Sequence, residues 1–156
     1  MKKTNAARLL DGLGIKYELL EYQVDEEDLS AEHVARQLQL PVEQVFKTLV
    51  SRGDRQGVVV CCIPAHGELS LKRLASITDN KKVELVPSKE ILALTGYLRG
   101  GCSPVGMKKR YPTFVHKTAL EYDFMVVSAG IRGVQLKLSP ADLVKATGAI
   151  VEDLID

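Results

Sequence analysis

Residues 46–63, FKTLVSRGDRQGVVVCCI, predict a β-hairpin. Two runs rich in apolar and β-branched side chains, 46–51 and 58–63, flank the turn-forming hexapeptide RGDRQG. A hairpin joins two antiparallel strands, whereas neighbouring parallel strands need a long crossover connection. The hairpin therefore favours a mixed, curved sheet over a doubly wound parallel one.

Helix and strand patterns continue on both sides of this hairpin. Helical spacing, with capping or stop residues, predicts five helices at 6–13, 31–38, 70–78, 88–95 and 140–147. Short apolar runs predict further strands at 15–22, 83–86, 113–116, 124–128 and 134–138. The chain has 156 residues and shows neither a repeat nor a linker. It is therefore expected to form one domain, 1–156, of mixed α/β (α+β) class.

The composition argues against several classes of protein. No apolar run approaches the roughly 20 residues of a membrane-spanning helix, and Arg8 and Asp11 interrupt the apolar stretch that a signal peptide needs. We therefore expect a cytoplasmic protein that does not enter a membrane. Three cysteines and three scattered histidines lack ligand spacing, so neither a disulfide framework, a metal site nor a cofactor is expected. His33 and His116 are expected to be solvated.

The formal charge of +1 conceals a basic middle segment. Residues 44–117 contain 13 basic and 5 acidic side chains, and residues 91–120 contain no carboxylate. An anionic partner is therefore compatible with this segment. Because the chain has 5% aromatic residues and no tryptophan, any contact with nucleic acid should be made mainly to phosphates.

The most unusual segment is residues 95–110, TGYLRGGCSPVGMKKR, which combines four glycines with dense positive charge. Glycines allow backbone N–H groups to approach a phosphate or a developing oxyanion closely. The segment matches neither a Walker A loop nor a dinucleotide fingerprint. From these residues alone, an irregular connection between a helix and a strand explains it equally well.

Two further segments could contribute to a site. Lys47 is a cation within VFKTLV (45–50), a run otherwise suited to burial, where it either points to solvent or supplies a fixed charge in a pocket. Residues 128–135, SAGIRGVQ, contain Ser128 and Arg132 beside two glycines that a hairpin turn already explains. No nucleophile is evident, because Ser128 lacks a GxSxG elbow and Cys102 lacks identifiable partners.

In this order and spacing, the three segments 45–50, 95–110 and 128–133 resemble the signature stretches of the YbaK family of aminoacyl-tRNA deacylases, over essentially the whole chain. That family is similar to the editing domain inserted in bacterial prolyl-tRNA synthetase. The resemblance implies a mixed, partly barrel-like sheet surrounded by helices. It also implies trans-editing of Cys-tRNA(Pro), with Cys-tRNA(Cys) as a further substrate, beside prolyl-tRNA synthetase as a partner.

The resemblance also implies roles for individual residues. The implied catalytic residues are Lys47, Gly100, Gly101 and Ser128. The implied substrate-binding residues are Tyr22, Phe46, Thr48, Tyr97, Ser103, Pro104, Gly106 and Arg132. The residues implied to contact the acceptor end of aminoacyl-tRNA are Arg99, Lys108, Lys109 and Arg110.

The mechanism implied by the resemblance needs no nucleophile from the protein. The thiol of the misattached cysteine attacks its own ester carbonyl and leaves as a thiolactone, which a substrate without a thiol cannot do. Two alternatives remain open at this point. One is a hydrolytic editor of another small aminoacyl ester, such as Ala-tRNA(Pro), and the other is a non-catalytic module that binds tRNA or a synthetase. The oligomeric state is left open.

Overall fold

The predicted hairpin lies at the centre of the larger of two sheets. The computed structural model describes residues 3–156. Within them the α-helices are α1 (Asn5–Gly12), α2 (Ala31–Leu38), α3 (Leu71–Ile77), α4 (Ile91–Thr95) and α5 (Pro140–Thr147). The strands are β1 (Glu18–Glu21), β2 (Phe46–Gly53), β3 (Gly57–Pro64), β4 (Val83–Leu85), β5 (Thr113–His116), β6 (Met125–Ser128), β7 (Val134–Leu138) and β8 (Ile150–Glu152). Short 3₁₀ helices occupy Val42–Gln44, Ser88–Glu90 and Lys117–Glu121.

The larger sheet has five strands in the order β4-β2-β3-β5-β8. Strands β4, β2 and β3 are antiparallel, whereas β5 and β8 continue the sheet in parallel. The smaller sheet has the order β1-β7-β6 and is antiparallel throughout. A parallel bridge between Val45 and Val126 joins the two sheets. The prediction of a mixed sheet with surrounding helices is confirmed, although the strands formed by residues 3–156 do not close into a barrel.

Strand β3 separates two cores because successive side chains point to opposite faces of a sheet. Cys62 faces one core with Leu10 of α1 and Leu143 of α5. Cys61 faces the other with Leu74 of α3 and Phe114 of β5. A smaller cluster packs α2 onto the bridge between the sheets and contains Ala35, Val45, Ala65 and Val126.

Side-chain caps begin four of the helices at the residues just before them. The hydroxyls of Thr4, Ser30, Ser70 and Ser139 each accept a backbone N–H three residues later. Each cap satisfies one of the N–H groups that the first helical turn leaves unpaired. The caps predicted at Thr4, Ser30 and Ser139 are therefore confirmed.

Four sequence predictions need correction. The strand predicted at 15–22 pairs only over Glu18–Glu21, and the helix predicted at 88–95 is a 3₁₀ turn followed by α4. Strand β8 was not predicted. His116 is not solvated but 2% exposed, and its Nδ1 accepts the N–H of Leu154 at 3.1 Å. His33 is also mostly covered, with 15% of its side chain exposed.

Candidate functional site

A cavity of about 210 Å³ lies where the first half of β2 faces the start of α2 and the glycine-rich loop. Five of the residues implied as catalytic or substrate-binding line it: Phe46, Lys47, Thr48, Gly100 and Ser128. The remaining wall is formed by Leu29, Ser30, Ala31, Val34, Leu49, Cys102 and Gln135. Three segments that are far apart in sequence therefore meet at one concave site.

Lys47 supplies the positive charge of this cavity. Its Nζ donates a hydrogen bond to the carbonyl oxygen of Ala65 at 3.1 Å. Within the described chain, residues 3–156, Lys47 has no carboxylate partner in an ion pair. The ammonium group is thus held at the wall with its charge uncompensated, which suits it to stabilise a negative oxygen or sulfur.

The glycine-rich loop approaches the cavity through a tight turn at residues 98–101. Gly100 occupies the third position of this turn with φ +82°, a conformation that favours glycine. Gly101 closes the turn by donating its N–H to the carbonyl oxygen of Leu98 at 2.9 Å. Its N–H is therefore already used. By contrast, the N–H groups of Gly100 and Cys102, both cavity-lining residues, have no acceptor among residues 3–156.

Gly101 has a structural function in the fold, because the absence of a side chain allows the loop to touch the β6–β7 turn. A Cβ atom at this position would lie 3.1 Å from the backbone N of Arg132 and 3.1 Å from the backbone C of Ile131. The side chain of Arg132 stabilises this contact between the loop and the β6–β7 turn, because its Nε donates to the carbonyl oxygen of Arg99 at 2.8 Å. Its Nη1 also pairs with Glu26 at 3.0 Å.

Gln135 is a cavity residue that the sequence analysis did not select. It pairs with Ser128 across strands β6 and β7 and is 5% exposed. Its side-chain amide forms no hydrogen bond with any described residue, and it lines the cavity. The signal was present in the sequence, because a hairpin predicted at 124–128 and 134–138 places Gln135 beside Ser128. The amide atoms of Gln135 are not among the fully buried unpaired side-chain atoms of the described residues, so the amide is accessible from the cavity and available to bind a polar ligand group.

The described lining of the cavity offers no carboxylate or imidazole to activate water. Its lining residues, as the structure describes them, include neither a carboxylate nor a histidine. Burial raises the pKa of the Cys102 thiol to about 11, so this thiol remains protonated at neutral pH. Ser128 Oγ accepts the N–H of Gly130 at 3.2 Å and has no base beside it. The site can therefore stabilise charge but does not supply an activated nucleophile.

Comparison with known proteins identifies the family. The family model of the aminoacyl-tRNA editing domain matches residues 25–146. The chain belongs to this family. It is 45% identical over 146 residues, 94% of this chain and 89% of the relative, to a protein of Enterococcus faecalis (strain ATCC 700802 / V583) named as a candidate Cys-tRNA(Pro)/Cys-tRNA(Cys) deacylase, EbsC.

Solved structures share the fold of this editing domain. A crystal structure described as a candidate trans-editing enzyme for prolyl-tRNA synthetase superimposes with a TM-score of 0.83 at 23% identity, covering 100% of this chain and 99% of that one. A structure described only as a hypothetical protein, APE2540, gives a TM-score of 0.89 at 25% identity, covering 98% and 100% of the two chains. The fold class expected from the resemblance is thereby confirmed.

Several residues implied as substrate-binding lie outside the cavity of the editing domain. Tyr97 is buried, and its hydroxyl donates to the carbonyl oxygen of Val105 at 2.7 Å. Ser103 is buried too and accepts the N–H of Val105. Tyr22 lies at the end of β1, where its N–H donates to the carbonyl oxygen of Gly133. The lining residues of the cavity include none of these three.

The remaining predicted residues lie in three other places. Arg99 lines a second cavity that adjoins the first. Lys109 and Arg110 line a separate cleft of about 100 Å³, to which Pro104 and Gly106 also contribute. Lys108 packs its aliphatic chain near Gly96. All four cations are exposed, and none takes part in an ion pair within the described residues.

A larger, shallow groove of about 780 Å³ runs along β1 and β7. It shares no lining residue with the Lys47 cavity or with the predicted site. Among the described residues, no cluster of three or more potential metal ligands is found. No helix in that part of the chain is long and apolar enough to span a membrane.

Proposed function

We propose that this editing domain removes cysteine from Cys-tRNA(Pro), and from Cys-tRNA(Cys) as a further substrate, acting in trans beside prolyl-tRNA synthetase. The relative named for the same two substrates supports the choice of amino acid and tRNA. A match of 31% identity over 80 residues to a proline–tRNA ligase of Thermosipho africanus (strain TCF52B) supports the link to that synthetase. It covers 51% of this chain and 14% of the ligase.

The observation that carries the proposal is a cavity with an uncompensated lysine and free amides but without a general base. Attack by water is usually assisted by a carboxylate or an imidazole that accepts its proton, and the described lining residues include neither. In the proposed reaction the substrate thiol forms an S–C bond with its own ester carbonyl. The C–O bond to the ribose then breaks, and the thiol proton passes to the departing ribose oxygen. A cyclic thiolactone and free tRNA result.

The protein residues would hold the reactive conformation and stabilise the charge that develops. The Nζ of Lys47 lies at the wall where a thiolate or an oxyanion can be stabilised. The N–H groups of Gly100 and Cys102 are free to donate to the carbonyl oxygen as it becomes negative. Intramolecular attack benefits from a high effective molarity, so positioning and charge stabilisation suffice.

Selectivity would follow from the same chemistry. A pocket distinguishes side chains that differ by one methylene by only about 1–3 kcal/mol. Cyclisation instead excludes alanine and proline esters because they have no thiol. The proposed activity would take place in the cytoplasm, and three cysteines that remain free thiols are compatible with a reducing compartment.

The test is the decay of Cys-tRNA(Pro), Ala-tRNA(Pro) and Ser-tRNA(Pro) with and without the protein. We expect accelerated decay of the cysteinyl ester only. The Lys47→Ala variant should lose about 10²–10³-fold in rate, the loss typical of removing one group that stabilises an oxyanion. Lys145→Ala is the matched control, because Lys145 is exposed on α5 and does not line the cavity; it should retain the wild-type rate.

The cyclisation step needs its own measurement. Cys-tRNA(Pro) whose thiol has been methylated should not be turned over, and the thiolactone should be trapped from the unmodified substrate. Continued decay of the methylated ester at the original rate would show that water is the nucleophile. Decay of Ala-tRNA(Pro) alone would instead support the hydrolytic alternative, and tRNA binding without any decay would support a non-catalytic module.

A further inference from the structure

A second cavity of about 320 Å³ adjoins the Lys47 cavity. The two share four lining residues, Thr48, Leu49, Gly100 and Cys102. A ligand that is longer than the first cavity can therefore extend directly into the second. Lys47 and Ser128 line the first cavity and not the second, so under the proposed function an aminoacyl ester would have its acyl part in the first. The alcohol part of the ester then lies at the shared wall.

The walls of the second cavity suit a flat, largely apolar group next to an anion. Aliphatic side chains of Val50, Leu85, Val86 and Ile91 supply most of the surface, and Ser88 adds a hydroxyl. Arg99 lies in the same lining and is exposed without an ion-pair partner among residues 3–156. A nucleobase has apolar faces and polar edges, and the attached sugar carries a phosphate. The apolar faces of the base match the aliphatic walls, and the phosphate matches the guanidinium of Arg99.

The backbone at the shared wall is also able to bind a polar group. Strand β4 pairs only with residues 51–53 of β2, and the N–H of Val86 then donates to the carbonyl oxygen of Val50. In an antiparallel strand, every second residue directs its N–H and C=O to the same neighbouring strand. Thr48, two residues before Val50, therefore directs both groups to the β4 side of β2, at a point where β4 has already ended. Gly100 of the loop lines the same two cavities as Thr48. An open strand edge of this kind offers one donor and one acceptor to a ribose hydroxyl.

We propose that this second cavity, the nucleoside recess, binds the terminal adenosine of the tRNA, with its ribose at Thr48 and its phosphate toward Arg99. The inference rests on the proposed function and deepens it. The recess has the size of an ordinary small-molecule site, about 300 Å³ or more. The cleft lined by Lys109 and Arg110 has only about 100 Å³ and shares no lining residue with the Lys47 cavity. Lys109 and Arg110 would then contact phosphates further along the acceptor strand.

The first test uses adenosine 5′-monophosphate as the probe and does not depend on turnover. In methyl NMR spectra of the full chain, titration with this nucleotide should shift the resonances of Val86 and Ile91 in a saturable manner. Ribose 5-phosphate, which lacks the base, should not shift them. Equal shifts with ribose 5-phosphate, or shifts that spare both side chains, would overturn the assignment of the base to the recess.

The second test uses a matched pair of substitutions on α4. Ile91→Phe fills the recess, whereas Leu92→Phe makes a similar change on the next residue, which is 51% exposed and does not line the recess. We expect Ile91→Phe to weaken nucleotide binding at least about tenfold and to raise KM for Cys-tRNA(Pro) in parallel, because both ligands occupy the recess. Leu92→Phe should change neither value. Folding of both variants is checked by their methyl spectra.

The outcomes separate this inference from the proposed function. Loss of nucleotide binding in Ile91→Phe with an unchanged KM for tRNA would identify a site for free nucleotides and refute the tRNA assignment. Wild-type affinity for nucleotide in Ile91→Phe would refute the recess altogether. If wild-type protein binds the nucleotide at Val86 and Ile91 but does not deacylate Cys-tRNA(Pro), the proposed function is wrong and the recess stands as a nucleotide site.

Discussion

Gly101→Ala tests whether contact between the glycine-rich loop and the β6–β7 turn holds the site together. The added methyl group would lie 3.1 Å from the backbone N of Arg132 and 3.1 Å from the backbone C of Ile131. Carbon atoms at van der Waals contact are separated by about 3.5–4.0 Å. One of the two backbone segments must therefore move by several tenths of an ångström. Neither neighbour is a flexible side chain that could rotate away.

The close approach at Gly101 determines how much stability and activity Gly101→Ala should lose. Overpacking a tight site by one methyl group costs about 1–3 kcal/mol. For a protein of this size, each kcal/mol lowers Tm by about 2–4 °C. Displacement of the loop also moves the free N–H groups of Gly100 and Cys102 away from the cavity. A misplacement of about 1 Å at a reacting centre can lower the rate about 10²-fold.

Calorimetry and the Cys-tRNA(Pro) decay assay measure the two effects. Gly12→Ala is the matched control, because a Cβ atom there has no heavy atom within 4 Å and the residue ends helix α1. Alanine should be neutral or stabilising at that position, by up to about 1 kcal/mol. If Gly101→Ala retains both the wild-type Tm and the wild-type rate, the loop does not need this close approach and the argument for the site geometry is wrong.

Three further predictions concern stability and binding. Burial lowers the pKa of His116, so the unfolded chain takes up this proton more readily than the folded chain, and Tm should fall as the pH drops below 6.5. His116→Asn, which keeps an acceptor for the N–H of Leu154, should show a smaller fall in Tm between pH 7 and pH 5. Asn80→Ala should lower the free energy of unfolding, measured by urea denaturation, by about 1–3 kcal/mol. The reason is that Asn80 Oδ1 accepts the backbone N–H groups of Arg55 and Gln56 at 2.9 and 2.8 Å. A decrease below about 0.5 kcal/mol would contradict this. Gln135→Leu should raise KM for Cys-tRNA(Pro) without lowering Tm, since its amide has no protein partner to lose, and an unchanged KM would exclude contact with substrate.

Much of the fold could be predicted because the deciding signals are local. Capping residues lie next to the helices that they begin, and the hairpin at 46–63 contains both its strands and its turn. Strand β8 was missed because it has three residues and pairs with β5, a strand more than thirty residues away. The burial of His116 was missed for a related reason. Its hydrogen-bond partner, Leu154, is brought to it by β8 rather than by neighbouring sequence.

The candidate site was predictable only in part. Lys47, Gly100 and Ser128, which the family resemblance placed in one site, line the same cavity. Tyr97 and Ser103 lie in the same glycine-rich segment, but their side chains turn inward and bind the backbone around Val105. A motif shows which segments come together, whereas the direction of each side chain depends on the packing beneath it.

Strand β3 has a consequence for how the domain unfolds. Its alternating side chains contribute Cys62 to one core and Val59, Cys61 and Ile63 to the other. Because each core uses the backbone of β3 as a wall, we expect loss of order in one core to weaken the other. Amide protons of β3 should therefore exchange only through global unfolding, whereas those of the outer strand β4 exchange through local opening. We therefore expect the two cores to unfold together, as one cooperative unit.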